Sequence, residues 1–165
     1  MWSPVVSAVA DALVRAGMAA LRFNFGGVGA SEGVYDDGRA EQCDVGAAEA
    51  ALASRVAPGT PLAVVGYSFG AWVGARAAAG LPRVRRIVAV APPLAFFDWS
   101  FVDALHRPLD VVVGDHDQYC SADALARFVA SHGARETIIA GADHFFAGID
   151  DQVARAVADV LADLR

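Results

Sequence analysis

Gly66-Tyr67-Ser68-Phe69-Gly70 closes the apolar run at residues 61–66 and opens an alanine-rich stretch of helical character. A G-x-S-x-G pentapeptide between a strand and a helix sets its serine on a sharp elbow, with the hydroxyl exposed above a sheet. The glycines have a mechanical reason to be there. The elbow strains the serine's backbone and brings strand and helix so close that side chains two residues to either side would clash. In a chain with 16 glycines the pentapeptide alone is only moderately specific, so its surroundings must carry the reading.

Outward from the elbow, strand and helix signals alternate without a linker, repeat or low-complexity tract. Upstream, Ser3 and Pro4 read as the N-cap and first residue of a helix with Val5, Val9 and Leu13 on one face, stopped by Gly17. Residues 18–25 read as a strand and 26–38 as a glycine-rich loop. A helix over about 39–57 follows, with Val45, Ala48, Leu52 and Val56 on one side. The strand at 62–66 leads through the elbow into a helix at 69–79. Downstream, 86–91, 111–114 and 136–140 read as strands, with a helix capped by Ser121 between the last two. Ile149, Val153, Val157, Val160 and Leu164 line a final amphipathic helix. Strands apolar throughout, such as 87–90 and 111–113, suit a parallel sheet buried on both faces. The expected architecture is one three-layer α/β domain over residues 1–165, with a mostly parallel sheet. In such sheets chemistry gathers at the carboxyl ends of the strands.

A serine hydroxyl is a poor nucleophile near neutral pH and needs a base. His144 follows the last strand and precedes the last helix, where a loop can carry an imidazole over the sheet toward Ser68; His106, His116 and His132 have no such position. The chain order serine, acid, histidine then asks for a carboxylate after the fourth strand signal, 111–114. Gly114-Asp115-His116-Asp117 offers two. Asp117 is the expected partner, because Asp115 abuts the strand and is placed to cap the turn. Asp143, beside the histidine, reads as a solvated loop residue. The 26–33 stretch lacks a Gly-Lys-Ser/Thr ending and the dinucleotide glycine spacing, so it reads as a structural turn bordering the site and not a phosphate loop. The aromatic stretch 96–101 reads either as core packing of a short helix or as an apolar lip for an acyl or alcohol group.

Composition narrows the class. With 165 residues the chain is long enough for a core, and 56% of it is hydrophobic, much of that alanine. No uninterrupted apolar stretch reaches membrane-spanning length, and the first residues do not resemble a signal peptide. A net charge of −6 gives no electrostatic support for a nucleic-acid or anionic-membrane partner. Cys43 and Cys120 fall in unrelated segments, so a reduced, cytoplasmic protein is expected. No clustered ligand pattern calls for a metal or organic cofactor.

Taken together these residues resemble the α/β-hydrolase superfamily, in particular its compact bacterial branch of dienelactone-hydrolase-like and serine-aminopeptidase-like hydrolases. The similarity covers nearly the whole chain: the strand and loop Leu21-Arg22-Phe23-Asn24-Phe25 and Gly27-Val28-Gly29-Ala30-Ser31-Glu32-Gly33, the elbow, the aromatic segment 97–101, the acid loop 114–117 and the histidine loop 143–146. The resemblance implies Ser68 as nucleophile, Asp117 as acid, His144 as base and the Phe69 amide as one oxyanion donor. The expected reaction is hydrolysis of a carboxylic ester or related acyl compound, small or medium in size because 165 residues leave no evident large lid. Thioesterase or peptidase activity, and a silent binding or dimerising module, stay open as alternatives, as does a homo-oligomer. Two departures stand out. Gly26 lies where the branch usually has arginine. The similarity begins at the first helix, so the branch's N-terminal strands and the His-Pro-rich loop that gives a second oxyanion amide have no counterpart, and an N-terminally truncated fold is expected. One of those strands would lie between 18–25 and 62–66. Without it the two must pair directly or leave backbone groups to another partner.

Overall fold

The computed structural model describes residues 3–164. Ser3 accepts a hydrogen bond from the Val6 amide and Pro4 begins helix α1, Pro4–Arg15; Gly17 ends it with a left-handed φ of 84°. α2, Ala40–Ala53, is followed by β1, Leu62–Tyr67, α3, Phe69–Ala78, and β2, Val84–Val90. β3, Leu109–Gly114, α4, Ala122–His132, β4, Arg135–Ile139, and α5, Asp150–Val160, complete the order. The four strands form one parallel sheet in the order β1-β2-β3-β4. Helices cover both faces, as the alternating pattern requires. The result is a three-layer αβα sandwich over one parallel sheet.

α1 and α5 pack on one face, where Val5, Val9 and Leu13 meet Val88, Val90, Val112, Val153 and Val157. α2, α3 and α4 cover the other, with Val73, Ile87, Val111 and Phe128 in the core. Val73, Val88, Val111, Val112, Val153 and Val157 have no exposed surface. Each such side chain contributes about 1.5–3 kcal/mol by burial. β2 and β3 therefore run through the centre of the molecule as nearly unbroken apolar strands.

Two charges interrupt that pattern. Arg86 on β2 and Asp110 on β3 are both buried and pair at 2.8 Å, with Asp163 and Arg135 completing the network from the periphery. Removing one partner would leave a buried charge unpaired at a cost of about 3–5 kcal/mol, whereas the intact pair adds little net stability. Its effect is to hold the register in which Val88 lies beside Asp110.

Residues 18–25 do not form the strand that their sequence suggests. The segment has no regular secondary structure: the Met18 amide returns to Leu13, and no backbone bond links 19–25 to β1 among the described residues. A strand is stabilised by its neighbour, and here none lies alongside. β1 is consequently the edge of the sheet, half-buried where β3 is fully covered and β2 is covered except at Arg85. Helix α2 is also shorter than expected. It ends at Ala53, and Arg83 donates to the carbonyl groups of Ala53 and Thr60 around its C-terminus. Among the described residues, no helix is long and apolar enough to cross a membrane.

Candidate active site

The elbow is built as its sequence demands. Ser68 has φ 54° and ψ −122°, a strained conformation for a residue with a side chain. It is held there by its amide donating to the Val90 carbonyl at 2.9 Å and its carbonyl accepting from the Ala71 amide at 2.9 Å. A Cβ at Gly66 would overlap the Gly70 carbonyl and approach the Ala71 Cα. A Cβ at Gly70 would meet only the edge of Phe25 at 3.9 Å, an ordinary contact. The clash expected at both glycines thus falls on Gly66 alone. Ser68 sits at the N-terminus of α3, where the first amides have no partner within the helix.

The structure brings Ser68, His144 and Asp117 together from three strand ends. Ser68 Oγ lies 2.9 Å from His144 Nε2. His144 Nδ1 lies 2.9 Å from Asp117 Oδ2 and 3.2 Å from Oδ1. An ionised carboxylate only accepts, so Nδ1 carries the ring proton and Nε2 is left to accept from the serine hydroxyl. Asp117 Oδ1 also accepts from the amides of Tyr119 at 2.8 Å and Cys120 at 3.0 Å. These bonds fix the carboxylate before any imidazole approaches it. His144 and Asp117 are both buried.

Asp115 has a different job. Its Oδ1 accepts from the Gly141 amide at 2.7 Å, while His116 donates its own amide to the Ala142 carbonyl at 2.9 Å. The end of β3 and the start of the histidine loop are thereby tied together, and a Cβ at Gly114 would overlap the Ala142 carbonyl. Asp143 is exposed and accepts from the Phe145 and Phe146 amides, shaping the turn that follows His144. Of the other histidines, His132 pairs with Asp103 at 2.6 Å, and His106 and His116 are exposed in loops.

Tyr67 is a site residue that the pentapeptide concealed. Its hydroxyl donates to the His144 carbonyl at 3.0 Å, and its ring lies face to face with the imidazole at 5.8 Å between centroids. Burial, and then the negative charge of Asp117, push its phenol above the usual tyrosine value. Tyr119 meets the same imidazole edge-on at 4.6 Å. The only sequence signal for Tyr67 was its place beside the serine, since alternation along a strand turns neighbours to opposite faces.

The glycine-rich stretch is a braced turn beside the site. The Gly26 amide donates to Asp44 at 2.8 Å, and the amides of Asp36 and Gly38 donate to the buried Glu41 at 3.0 and 2.9 Å. Phe69 gathers Phe25, Tyr35, Trp72 and Phe97 within 6.1 Å between ring centroids. Phe97 stacks on Trp72 in this wall, whereas Phe96 is 65% exposed against Tyr119. The core-packing reading of the aromatic stretch therefore holds for Phe97 and not for Phe96. Among the described residues no group of three or more His, Cys, Asp or Glu is arranged to hold a metal ion.

Comparison with known proteins gives relatives of one kind. No family model matches the chain. An uncharacterised protein of Rickettsia prowazekii (strain Madrid E) is 32% identical over 163 residues, which cover 93% of this chain and 68% of that protein. The solved structure of an α/β serine hydrolase homologue from Coxiella burnetii is 30% identical with a TM-score of 0.85, over 96% of this chain and 76% of that one. A lidless α/β serine hydrolase from Xanthomonas campestris is 29% identical with a TM-score of 0.88, over 99% and 74% of the two chains.

Proposed function

The chain belongs to the α/β-hydrolase superfamily, and from that premise we propose that it is a serine hydrolase cleaving a carboxylic ester or related acyl compound. The observation that carries the proposal is the unbroken hydrogen-bonded line from Ser68 Oγ through His144 to Asp117, each link 2.9 Å long. Ser68 Oγ attacks the carbonyl carbon as His144 Nε2 takes its proton, forming the tetrahedral oxyanion. Asp117 keeps the imidazole in the tautomer that can accept, and stabilises the imidazolium once it forms. The Phe69 amide, at the N-terminal end of α3, donates to the oxyanion. A preorganised donor of this kind is worth about 10²–10³ in turnover. The alcohol leaves with the proton from His144, and an acyl group remains on Ser68. Water then attacks that ester as His144 accepts its proton; the second collapse releases the acid and restores the serine hydroxyl.

A fluorophosphonate probe tests the nucleophile without knowledge of the substrate. Labelling of the protein at Ser68, lost in Ser68→Ala, is the expected result. A folded chain that takes no label would overturn the proposal and leave the alternative of a silent module of the same fold.

A further inference from the structure

The imidazole of His144 is bordered by rings that neither face's core uses. Tyr119 meets it edge-on at 4.6 Å and Phe145 at 5.5 Å between centroids, and Phe96 extends the surface by packing against Tyr119 at 5.1 Å. Phe96 and Phe145 are 65% and 57% exposed, and Tyr119 is half-buried. On the Phe69 side, Phe25, Phe97 and Trp72 are packed into or against the core, whereas Phe96, Tyr119 and Phe145 belong to neither core cluster. Apolar rings gathered at one exposed place, and not scattered singly, mark a binding surface.

The fold holds these rings outward. Phe146 is wholly buried at a left-handed φ of 52°, a strained backbone for a side chain of that size. The turn that buries it leaves Phe145 in solvent, and both amides donate to Asp143. The Tyr119 amide donates to Asp117 at 2.8 Å. The Tyr119 carbonyl accepts from the Ala95 amide at 3.1 Å, which fastens the loop that carries Phe96. The bonds that fix the acid and shape the histidine loop thus also fix the three rings. A surface positioned beforehand loses little freedom when something binds to it.

What lies against this surface follows from the chemistry. His144 Nε2 takes the serine proton and returns it to the leaving oxygen, so that oxygen must come within about 2.6–3.2 Å of Nε2. The carbon chain on that oxygen therefore begins beside the imidazole and runs out along its border, while the acyl group stays on the carbonyl carbon at Ser68. We propose that Phe96, Tyr119 and Phe145 form the alcohol subsite, and that the preferred substrates are esters of arylalkyl alcohols, whose ring covers the three. The proposal rests on the serine chemistry described above. The ester C–O bond breaks, the oxygen keeps the bonding pair and takes the Nε2 proton, and the arylalkyl alcohol departs across these rings.

Two isomeric esters test it. Phenethyl acetate carries its ring on the alcohol, and methyl hydrocinnamate carries the same ring on the acyl group. Ethyl acetate is the reference, because it forms the same acetyl-enzyme as phenethyl acetate and releases an alcohol of similar acidity. kcat/KM reports the steps through alcohol release and so compares the esters before deacylation. The wild-type protein should favour phenethyl acetate over ethyl acetate, and over its isomer, by roughly ten-fold or more. Phe96→Ala and Phe145→Ala should each lower the ratio of phenethyl acetate to ethyl acetate by about five-fold and leave the ratio of methyl hydrocinnamate to ethyl acetate unchanged. A ratio taken within one variant cancels any general loss through the nearby His144. Equal kcat/KM for the two isomers in the wild-type protein, or an equal fall of both ratios in the variants, would overturn the alcohol subsite, as would turnover of none of the three esters by a chain that the fluorophosphonate labels at Ser68. Each of those leaves the hydrolase reading standing. Neither turnover nor label would overturn both.

Discussion

Tyr67 contributes to two surfaces that the sheet keeps apart: its backbone lies on the free edge of β1, and its phenol holds the carbonyl of His144. Loss of that single hydrogen bond in Tyr67→Phe should cost about 1 kcal/mol of imidazole positioning, or roughly five-fold in kcat, with KM nearly unchanged. The pH profile separates positioning from packing. Because the phenol is raised above its usual value, its neutral, donating form persists to higher pH than in a free tyrosine. Ionisation therefore breaks the bond only above the ordinary tyrosine range, and the alkaline fall in kcat arising from it should be absent in Tyr67→Phe. The same fall in both proteins would show that the hydroxyl does not act through His144. The two carboxylates of the acid loop divide just as sharply. Asp117→Asn removes the acceptor that sets the imidazole tautomer and should lower kcat by about 10³–10⁴. Asp115→Asn keeps an oxygen for the Gly141 amide and should lower kcat less than roughly ten-fold, the cost of weakening a single loop bond. Steady-state ester hydrolysis of the two variants checks this, and the reverse ranking would reassign the acid.

At the level of elements, the elbow's two glycines are not equivalent. Gly66→Ala forces a methyl group into the Gly70 carbonyl, where backbone and not a flexible side-chain end must move; it should lower stability by about 1–3 kcal/mol, read from the urea midpoint. Gly70→Ala places its methyl in ordinary contact with Phe25 and gains helix propensity, so it should be neutral or up to about 1 kcal/mol more stable. Equal losses in the two variants would contradict the packing described for the elbow. The elements that the sequence revealed are those whose reasons are local: the Ser3-Pro4 start of α1, the Ser121 cap of α4, and the apolar runs of β2 and β3. Those it concealed depend on partners far along the chain. Residues 18–25 have a strand's composition, yet a strand exists only beside another, and a cavity lined by Leu21 on one side and Ala63 and Val65 on the other separates them from β1. Arg86 read as the border of a strand because its counter-charge, Asp110, lies 24 residues away.

On the scale of the whole molecule, Ser68 and His144 are 76 residues apart in sequence and in contact in space, a convergence that the parallel topology produces by setting successive strand ends side by side. Chain order pointed to Ser68, His144 and the 114–117 loop, and the place of Asp115 against the strand left Asp117 as the partner that His144 meets; their burial, and the aromatics around the imidazole, became visible only in three dimensions. The two cysteines offer a measure of how firmly that convergence is held. Cys120 lies under the acid loop, 3% exposed, with its amide bonded to Asp117. Burial, and then the charge of Asp117, push its thiol up to about 12, so almost none of the reactive thiolate exists near neutral pH. Cys43 is exposed on α2. Iodoacetamide should consequently modify Cys43 in the native protein and reach Cys120 only through opening of the loop that carries Asp117. If that loop opens only with the whole molecule, the urea dependence of Cys120 alkylation follows the global unfolding transition, since global exposure scales with denaturant. A Cys120 rate that is slow but indifferent to urea would mean that the acid loop opens on its own, as a unit weaker than the sheet beneath it. Modification of Cys120 as fast as Cys43 in native buffer would contradict the buried packing around Asp117, and with it the fixed carboxylate on which the proposed chemistry depends.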